Sequence, residues 1–318
     1  MNIIVIGCGA VYKEFYVEAL VALEHLRKIK VLAVVDGNPV NRIGAQANFP
    51  HAKAFASIKD CNCLKGVDAG LVLTPPAAHC DILKLLARAK INAYCEKPLT
   101  TSLEEALEIA SVFCKNNVSC KVAYTRRFFP NLQIIRSVLE QNSTVKHLNI
   151  KASDGEVFRW PIKTSGIFTP QDPGSGVVWD KACHNLDLIN WLSPIKSIDH
   201  VYSSCRAGAV PIDVKVNGTC VSGSFKVAVS WAMELPNTFS VTGEGLSLST
   251  KNGLSSSIQG LSTQVVCPGP GSYPGAILTA LDSFVKQKSC NILSDVSENI
   301  ELTKHLVRID QLARRGTL

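Results

Sequence analysis

A short apolar run, Asn2-Ile3-Ile4-Val5-Ile6, breaks into Gly7-Cys8-Gly9-Ala10-Val11 and passes at once into a segment with helical spacing. A run bounded in this way predicts a buried strand entering a tight glycine turn. From Tyr12 to Arg27, Phe15, Ala19, Ala22 and Leu23 recur at helical intervals. Strand, glycine turn and helix in that order restrict the start of the chain to a parallel α/β layer, with unsatisfied helix N–H groups facing an anion such as a pyrophosphate. Two glycines at a strand end are a weak signal alone, and Tyr12 stands where a third glycine is expected. A ring at that position predicts either looser packing of the first helix or an aromatic face beside a bound nucleotide. The second strand, Lys30 to Val35, stops at Asp36, 27 residues after Gly9, near the roughly 20-residue interval of a ribose-binding acid. A carboxylate there favours NAD and repels the 2′-phosphate of NADP.

The alternation continues. Asp68 to Leu73 reads as a strand ending at Thr74-Pro75-Pro76, and Ala77 to Lys90 as a helix with His79 in its first turn. Ile91 to Cys95 is the next strand, followed by Glu96-Lys97-Pro98, a lysine locked before a proline where an α/β strand ends and chemistry usually begins. Ser102-Leu103-Glu104-Glu105 is a capping-box-like start for a helix to Asn116, which leads into a strand from Ser119 to Tyr124. Residues 1–125 are therefore expected to form one doubly wound dinucleotide-binding domain.

Residues 126–318 read differently. A helix is expected from Pro130 to Gln141, a strand from Lys146 to Ala152 and a helix from Asp180 or Lys181. Short strands follow at 200–206, 212–216, 219–225, 226–233, 238–242 and 246–250, as in an antiparallel or mixed sheet. Two helices, 275–286 and 295–314, close the chain and are able to pack back on the first domain. The second domain is expected to be α+β, with an open, mainly antiparallel sheet for substrate binding and oligomerisation. Ser255 to Gly275, rich in Ser, Gly and Pro, is the expected mobile loop.

Chemistry concentrates again in Gly174-Ser175-Gly176 and the segment Asp180-Lys181-Ala182-Cys183-His184-Asn185-Leu186-Asp187. On a regular helix, positions 180, 184 and 187 share a face, and a carboxylate beside an imidazole orients it and stabilises its protonated form. A histidine flanked by acids on a helix is as often a satisfied structural residue.

These segments together resemble the Gfo/Idh/MocA oxidoreductases. The matching pieces are Gly7 to Val11, Thr74-Pro75-Pro76-Ala77-Ala78-His79, Glu96-Lys97-Pro98, the segment from Tyr124 to Pro130 and Asp180 to Asp187, in family order and spacing. The C-terminal sheet and last helices agree in layout only. The resemblance implies an NAD(P)-dependent enzyme passing hydride between nicotinamide and a secondary carbinol carbon of a sugar, a sugar derivative, phosphorylated or nucleotide-linked, or a cyclitol. It implies Lys97, Asp180 and His184 as catalytic residues, with a cis bond before Pro98 aiming the lysine. It implies Gly7, Gly9, Ala10, Val11, Asp36, Thr74, Pro75, His79 and Glu96 at the cofactor, and Tyr124, Arg127, Asp180 and His184 at the substrate. Alcohol oxidation needs a base near the hydroxyl and a cation near the developing alkoxide, and Lys97 and His184 can each fill either role. Asp154 to Pro161 resembles a segment of sugar-processing members in which Trp160 would stack on a sugar ring; a sheet-edge tryptophan beside a solvated Arg159 is the plainer alternative. Tyr124 and Arg127 have plain readings too, a packed ring and a surface cation. Gly174-Ser175-Gly176 departs mildly from the family's triple glycine, and Lys181 is expected to be solvated, or else to bind a substrate phosphate or carboxylate.

Composition narrows the rivals. With 318 residues and 46% hydrophobic content the chain is able to bury a large core. No run approaches a transmembrane helix and no charged-then-apolar leader precedes the first strand, so a cytoplasmic protein without membrane contact is expected. Twelve cysteines include no CxxC pair and no zinc spacing, which predicts reduced thiols and no metal. The net charge of +7 is spread without a dense run, excluding a nucleic-acid groove while allowing an anionic substrate. Two rivals remain, a non-catalytic NAD(H)-binding sensor of this fold and a dehydrogenase of a non-sugar substrate. The family analogy adds a homodimer or homotetramer paired through the C-terminal sheet.

Overall fold

The computed structural model describes residues 1–60, 64–142, 147–157, 169–172, 174–251, 257–259, 265–266, 273–286 and 292–316. In chain order it begins with β1 (Asn2–Ile6), α1 (Val17–His25), β2 (Lys30–Val35), α2 (Pro39–Asn48), β3 (Lys53–Phe55), β4 (Ala69–Val72), α3 (His79–Arg88), β5 (Asn92–Cys95), α4 (Leu103–Asn116) and β6 (Cys120–Val122). Next come α5 (Pro130–Gln141), β7 (Leu148–Gly155), α6 (Cys183–Leu192), β8 (Ile195–Ser203), β9 (Asp213–Cys220), β10 (Gly223–Ser230), β11 (Leu235–Gly243) and β12 (Leu246–Lys251). The chain ends with β13 (Ser257–Gln259), β14 (Val265–Val266), α7 (Tyr273–Val285), β15 (Ser294–Asp295) and α8 (Glu298–Arg314). It divides into two compact units, Met1–Thr125 with Tyr273–Thr303, and Arg126–Ser272 with Lys304–Leu318.

The sheet of the first unit has the order β15-β6-β5-β4-β1-β2-β3, every pair parallel except β15 with β6. Leaving β15 aside, this is the 3-2-1-4-5-6 order of a doubly wound dinucleotide fold. Its central strand is buried along Ile3, Ile4, Val5 and Ile6 because helices cover both faces. Ser102 caps α4 through the Glu105 N–H at 3.4 Å, and Asn117 ends it in the left-handed region at φ +54°. Helix α7 returns to α1, joined by the Phe15 and Tyr273 rings at 6.0 Å and the Lys28–Asp282 ion pair at 2.6 Å. The sequence reading found no elements between Asp36 and Asp68, where the structure has α2 and β3. The signal was local: Asn38 Oδ1 accepts the Val40 N–H at 2.9 Å, and Pro39 opens the helix.

The sheet of the second unit runs β14-β13-β12-β11-β7-β10-β9-β8 and is antiparallel except where β10 pairs with β7. The fold class is thus the expected α/β combination of a doubly wound parallel sheet and an open, mainly antiparallel one. Three expected strands between 212 and 233 are instead two long ones, β9 and β10, meeting at Val221–Ser222. The misleading residue was Gly218, which lies inside β9. A Cβ there would stand 2.5 Å from the Phe225 ring and would press on the Ser197 carbonyl, so the glycine serves close approach rather than a turn. Of the expected mobile loop, the described residues form β13, β14 and the start of α7; the rest lies outside the described residues. Among the described residues no helix is long and apolar enough to cross a membrane.

Candidate functional site

In the first unit the site begins where β1 ends. Gly7 has φ +91°, and a Cβ on it would stand 2.7 Å from the Leu73 carbonyl carbon and the Thr74 nitrogen, so only glycine passes the end of β4 this closely. At Gly9 no atom lies within 4 Å of an added Cβ, leaving open space beside Ala10 and Val11 where the helix starts. Asp36 is tied to the turn: Oδ2 accepts the Cys8 N–H at 2.7 Å and Oδ1 accepts the Asn38 N–H at 2.8 Å. The Arg42 guanidinium donates to the Asp36 carbonyl at 2.6 Å. A carboxylate offers about four lone-pair directions, so Asp36 keeps capacity for a ligand hydroxyl. Thr74 Oγ1 is buried with no hydrogen-bond partner among the described residues, an orphaned polar atom suited to a ligand.

Tyr12 resolves into neither of the two expected arrangements. The backbone from Tyr12 to Tyr16 widens into a π-turn, with the Val17 N–H reaching the Tyr12 carbonyl, before α1 continues. Both rings are buried, and the Tyr12 hydroxyl accepts from Asn48 Nδ2 of α2 at 3.2 Å. Burial pushes the Tyr12 phenol up to about 12. The wide turn, a feature frequent at functional sites, makes room for a large ring where the nucleotide pattern has glycine.

The Glu96-Lys97-Pro98 turn follows β5, with the Glu96 N–H on the Val72 carbonyl at 2.8 Å and a cis bond between Lys97 and Pro98. Glu96 spends both carboxylate oxygens inside the protein, Oε1 on the Tyr16 hydroxyl at 2.6 Å and Oε2 on the Lys97 N–H at 2.9 Å. His79, expected among the cofactor contacts, is wholly buried. Its Nδ1 lies 3.1 Å from the carbonyls of Pro98 and Leu99, and its Nε2 lies 2.8 Å from the Thr74 carbonyl. The ring therefore braces the Thr74 and Pro98 turns against each other instead of being presented to a ligand, and burial pushes its pKa down. Tyr124 is buried just after β6.

In the second unit, Gly176 at φ +102° sits against the Pro211 carbonyl, which accepts the Val177 N–H at 2.9 Å. Arg314 of α8 donates to Ser175 Oγ and to the Ser175 carbonyl, each at 2.9 Å. This fixes the start of a second π-turn, Val178–Ala182, which runs into α6. Of the residues expected on a common face, Asp180 lies in the π-turn and His184 and Asp187 in α6. Asp180 Oδ2 accepts the Trp231 indole N–H at 3.0 Å, and Asp187 accepts Arg127 Nε at 2.9 Å and a terminal nitrogen at 2.6 Å. His184 is 8% exposed at the start of α6.

Arg127 is 1% exposed. Expected at the substrate or on the surface, it is instead bound in this internal two-pronged pair, with Trp191 under its guanidinium at 5.7 Å. Lys181, expected in solvent, is buried as well. Its Nζ lies 2.9 Å from Asp154 Oδ1 and 3.4 Å from Glu156 Oε1. The second Asp154 oxygen pairs with Arg126. Burial pushes the Asp154 carboxyl up, but the Arg126 and Lys181 charges outweigh it and hold it below the ordinary carboxylate range. Trp160 and Arg159 lie outside the described residues. Sequence reasoning missed Tyr16 and Trp231, whose polar tips meet Glu96 and Asp180; only their polar-tipped aromatic character hinted at a buried partner. Cys183 Sγ points back to the Trp179 carbonyl at 3.0 Å, an inert arrangement.

The geometry has close counterparts among known proteins. Residues 1–124 match the model of the GFO_IDH_MocA oxidoreductase family, described as an NAD-binding Rossmann fold. Over these residues the chain is similar to the Gfo/Idh/MocA oxidoreductases. Among named relatives it is 27% identical over 192 residues to the uncharacterized oxidoreductase YrbE of Bacillus subtilis, covering 59% of this chain and 52% of that protein. It is 26% identical over 169 residues to an inositol 2-dehydrogenase of Corynebacterium glutamicum, covering 51% of this chain and 46% of that enzyme. The chain thus spans about half the length of the curated relatives it matches. Among solved structures, the WlbA dehydrogenase of Bordetella pertussis in complex with NADH and UDP-GlcNAcA superposes with TM-score 0.83 over 100% of this chain and 96% of that one, at 18% identity. At that identity the likeness is one of fold.

Proposed function

We propose that the chain is an NAD-dependent dehydrogenase or reductase acting on a secondary alcohol or its ketone in a sugar, a phosphorylated or nucleotide-linked sugar, or a cyclitol. The observation that carries the reading is the Asp36 carboxylate pinned at 2.7 Å to the glycine turn. That pairing sets a ribose acceptor beside the open space at Gly9. Gly9, Ala10 and Val11 would hold the pyrophosphate at the helix start, Asp36 the ribose hydroxyls, and Thr74 and Pro75 the nicotinamide half, with Gly7 allowing the close approach. Bound NAD supplies the hydride acceptor, and in its reduced form the donor. Lys97 offers a cation to the oxygen that becomes an alkoxide, and His184 a nitrogen that takes or returns the hydroxyl proton. Either is chemically able to serve as the base, so the pair is assigned together. Asp180, steadied by Trp231, orients the imidazole or a neighbouring hydroxyl. Tyr124 is assigned to the substrate side, and Arg127 acts there through Asp187 by fixing α6.

The inositol and nucleotide-sugar dehydrogenases among the relatives support this substrate class. The free thiols of Cys8, Cys95, Cys120 and Cys183 support a reducing, cytoplasmic setting. Pairing of second-unit sheets into a dimer or tetramer is proposed by family analogy; a monomer mass by light scattering at micromolar concentration contradicts it. The test of activity is NAD reduction, followed by nicotinamide absorbance, over a panel of inositols, hexoses and UDP-sugars. The reading expects turnover of at least one, lost in Lys97→Ala and His184→Ala. NADH binding with no turnover across a broad panel would favour the sensor.

A further inference from the structure

Tyr16 ends the first π-turn, wholly buried, and reaches across 80 positions of sequence to donate to Glu96 at 2.6 Å. Burial, with the Glu96 charge adding to it, pushes the Tyr16 phenol well above its ordinary value, so this hydroxyl stays a donor at every working pH. Burial also pushes the Glu96 carboxyl up, opposed by the Lys97 charge, the Tyr16 hydroxyl and the Lys97 N–H. Burial, with the Glu96 charge adding to it, also raises the Tyr94 phenol of β5. An acid held by the Tyr16 hydroxyl and the Lys97 N–H, with a lysine as the adjacent cation, is a built counter-ion and not a solvated surface group.

We propose that Tyr16 and Glu96 are positioning residues for Lys97: the Tyr16 hydroxyl fixes the carboxylate, and the carboxylate holds the Lys97 main chain and balances its ammonium. The functional consequence rests on the reading of Lys97 as catalytic, whereas the pairing is testable without turnover. The chain from π-turn to lysine also links the glycine-turn helix to the Glu96-Lys97-Pro98 turn through side chains rather than through the sheet.

The experiment is trace acylation of the full-length protein with acetic anhydride near about pH 8, where free amines react and ammonium groups do not. Modification of Lys97 is read by peptide mass spectrometry against exposed Lys226 in the wild type, Tyr16→Phe and Glu96→Gln. An adjacent carboxylate favours the unreactive ammonium form, so Lys97 is expected to react up to about tenfold faster in Glu96→Gln. In Tyr16→Phe the increase is smaller, because the carboxylate loses a donor and protonates more readily. Equal Lys97 rates in all three proteins would overturn the proposal. If Tyr16→Phe fails to fold, Glu96→Gln decides alone, since Gln keeps the shape and an acceptor for the Lys97 N–H. Where a substrate is in hand, kcat falls with little change in KM for NAD, and the acid limb of the pH profile moves upward in Tyr16→Phe. Absence of NADH binding by the wild type would sink the functional reading and leave the acylation result standing.

Discussion

Gly7 in the first unit and Asp187 in the second show how single residues set local geometry. At Gly7 the positive φ and the Leu73–Thr74 backbone at 2.7 Å from a would-be Cβ leave no rotamer to relax into. Gly7→Ala is therefore expected to cost about 2 kcal/mol or more in chemical denaturation and to weaken NADH binding together with stability. Asp187 and Arg127 form an ion pair that is 1% exposed on each side. Asp187→Ala strands a buried guanidinium, and a loss of about 3–5 kcal/mol in a urea titration is expected, with Asp187→Asn milder because it keeps an acceptor. A loss below about 1 kcal/mol would mean that Arg127 finds another anion and is not tied to α6 in this way.

At the scale of elements, the sequence made the alternating first unit legible because its signals are local: apolar runs for β1, β2 and β4, the Ser102 cap for α4, the stop at Asp36. Asn38-Pro39 carried an equally local signal for α2 that periodicity alone passed over. Both π-turns were illegible, since one extra residue in a helical turn leaves the apolar spacing nearly unchanged while it swings Tyr16 toward Glu96 and Asp180 toward Trp231. Burial of Arg127 and Lys181 was illegible for a different reason: their carboxylate partners lie 60 and 27 positions away, and nothing in a charged residue's own neighbourhood says that it is paired. Gly218 misled because glycine inside a strand and glycine in a turn look alike in sequence. Its role predicts that Gly218→Ala, pressed between the Phe225 ring and Ser197, costs about 1–3 kcal/mol, whereas an alanine at Gly245, with nothing within 4 Å, meets only the strain of φ +70°. Thermal melts of the two variants separate these effects.

Across the whole molecule, stability should carry the signature of the buried Asp154 between Arg126 and Lys181. Its carboxyl is held below the ordinary range in the folded chain, so its contribution is full above the pH where the unfolded carboxylate titrates and is lost as pH falls through the lower, folded value. Between about pH 5 and pH 3 the wild type is expected to lose more stability than Asp154→Asn, which is weaker at neutral pH but flatter in acid. Parallel acid limbs in the two proteins would contradict the assignment of Asp154 as the pivot of that cluster.

The central claim is that the glycine turn and Asp36 form a nucleotide site selective for NAD. It is tested most directly by titrating the purified protein with NADH and NADPH, read by nicotinamide fluorescence, beside the variant Asp36→Ala. NADH is expected to bind the wild type more tightly than NADPH, with the preference collapsing in the variant as the ribose acceptor and its repulsion of a 2′-phosphate are removed together. Failure of either nucleotide to bind the wild type, or an unchanged preference in Asp36→Ala, would contradict it.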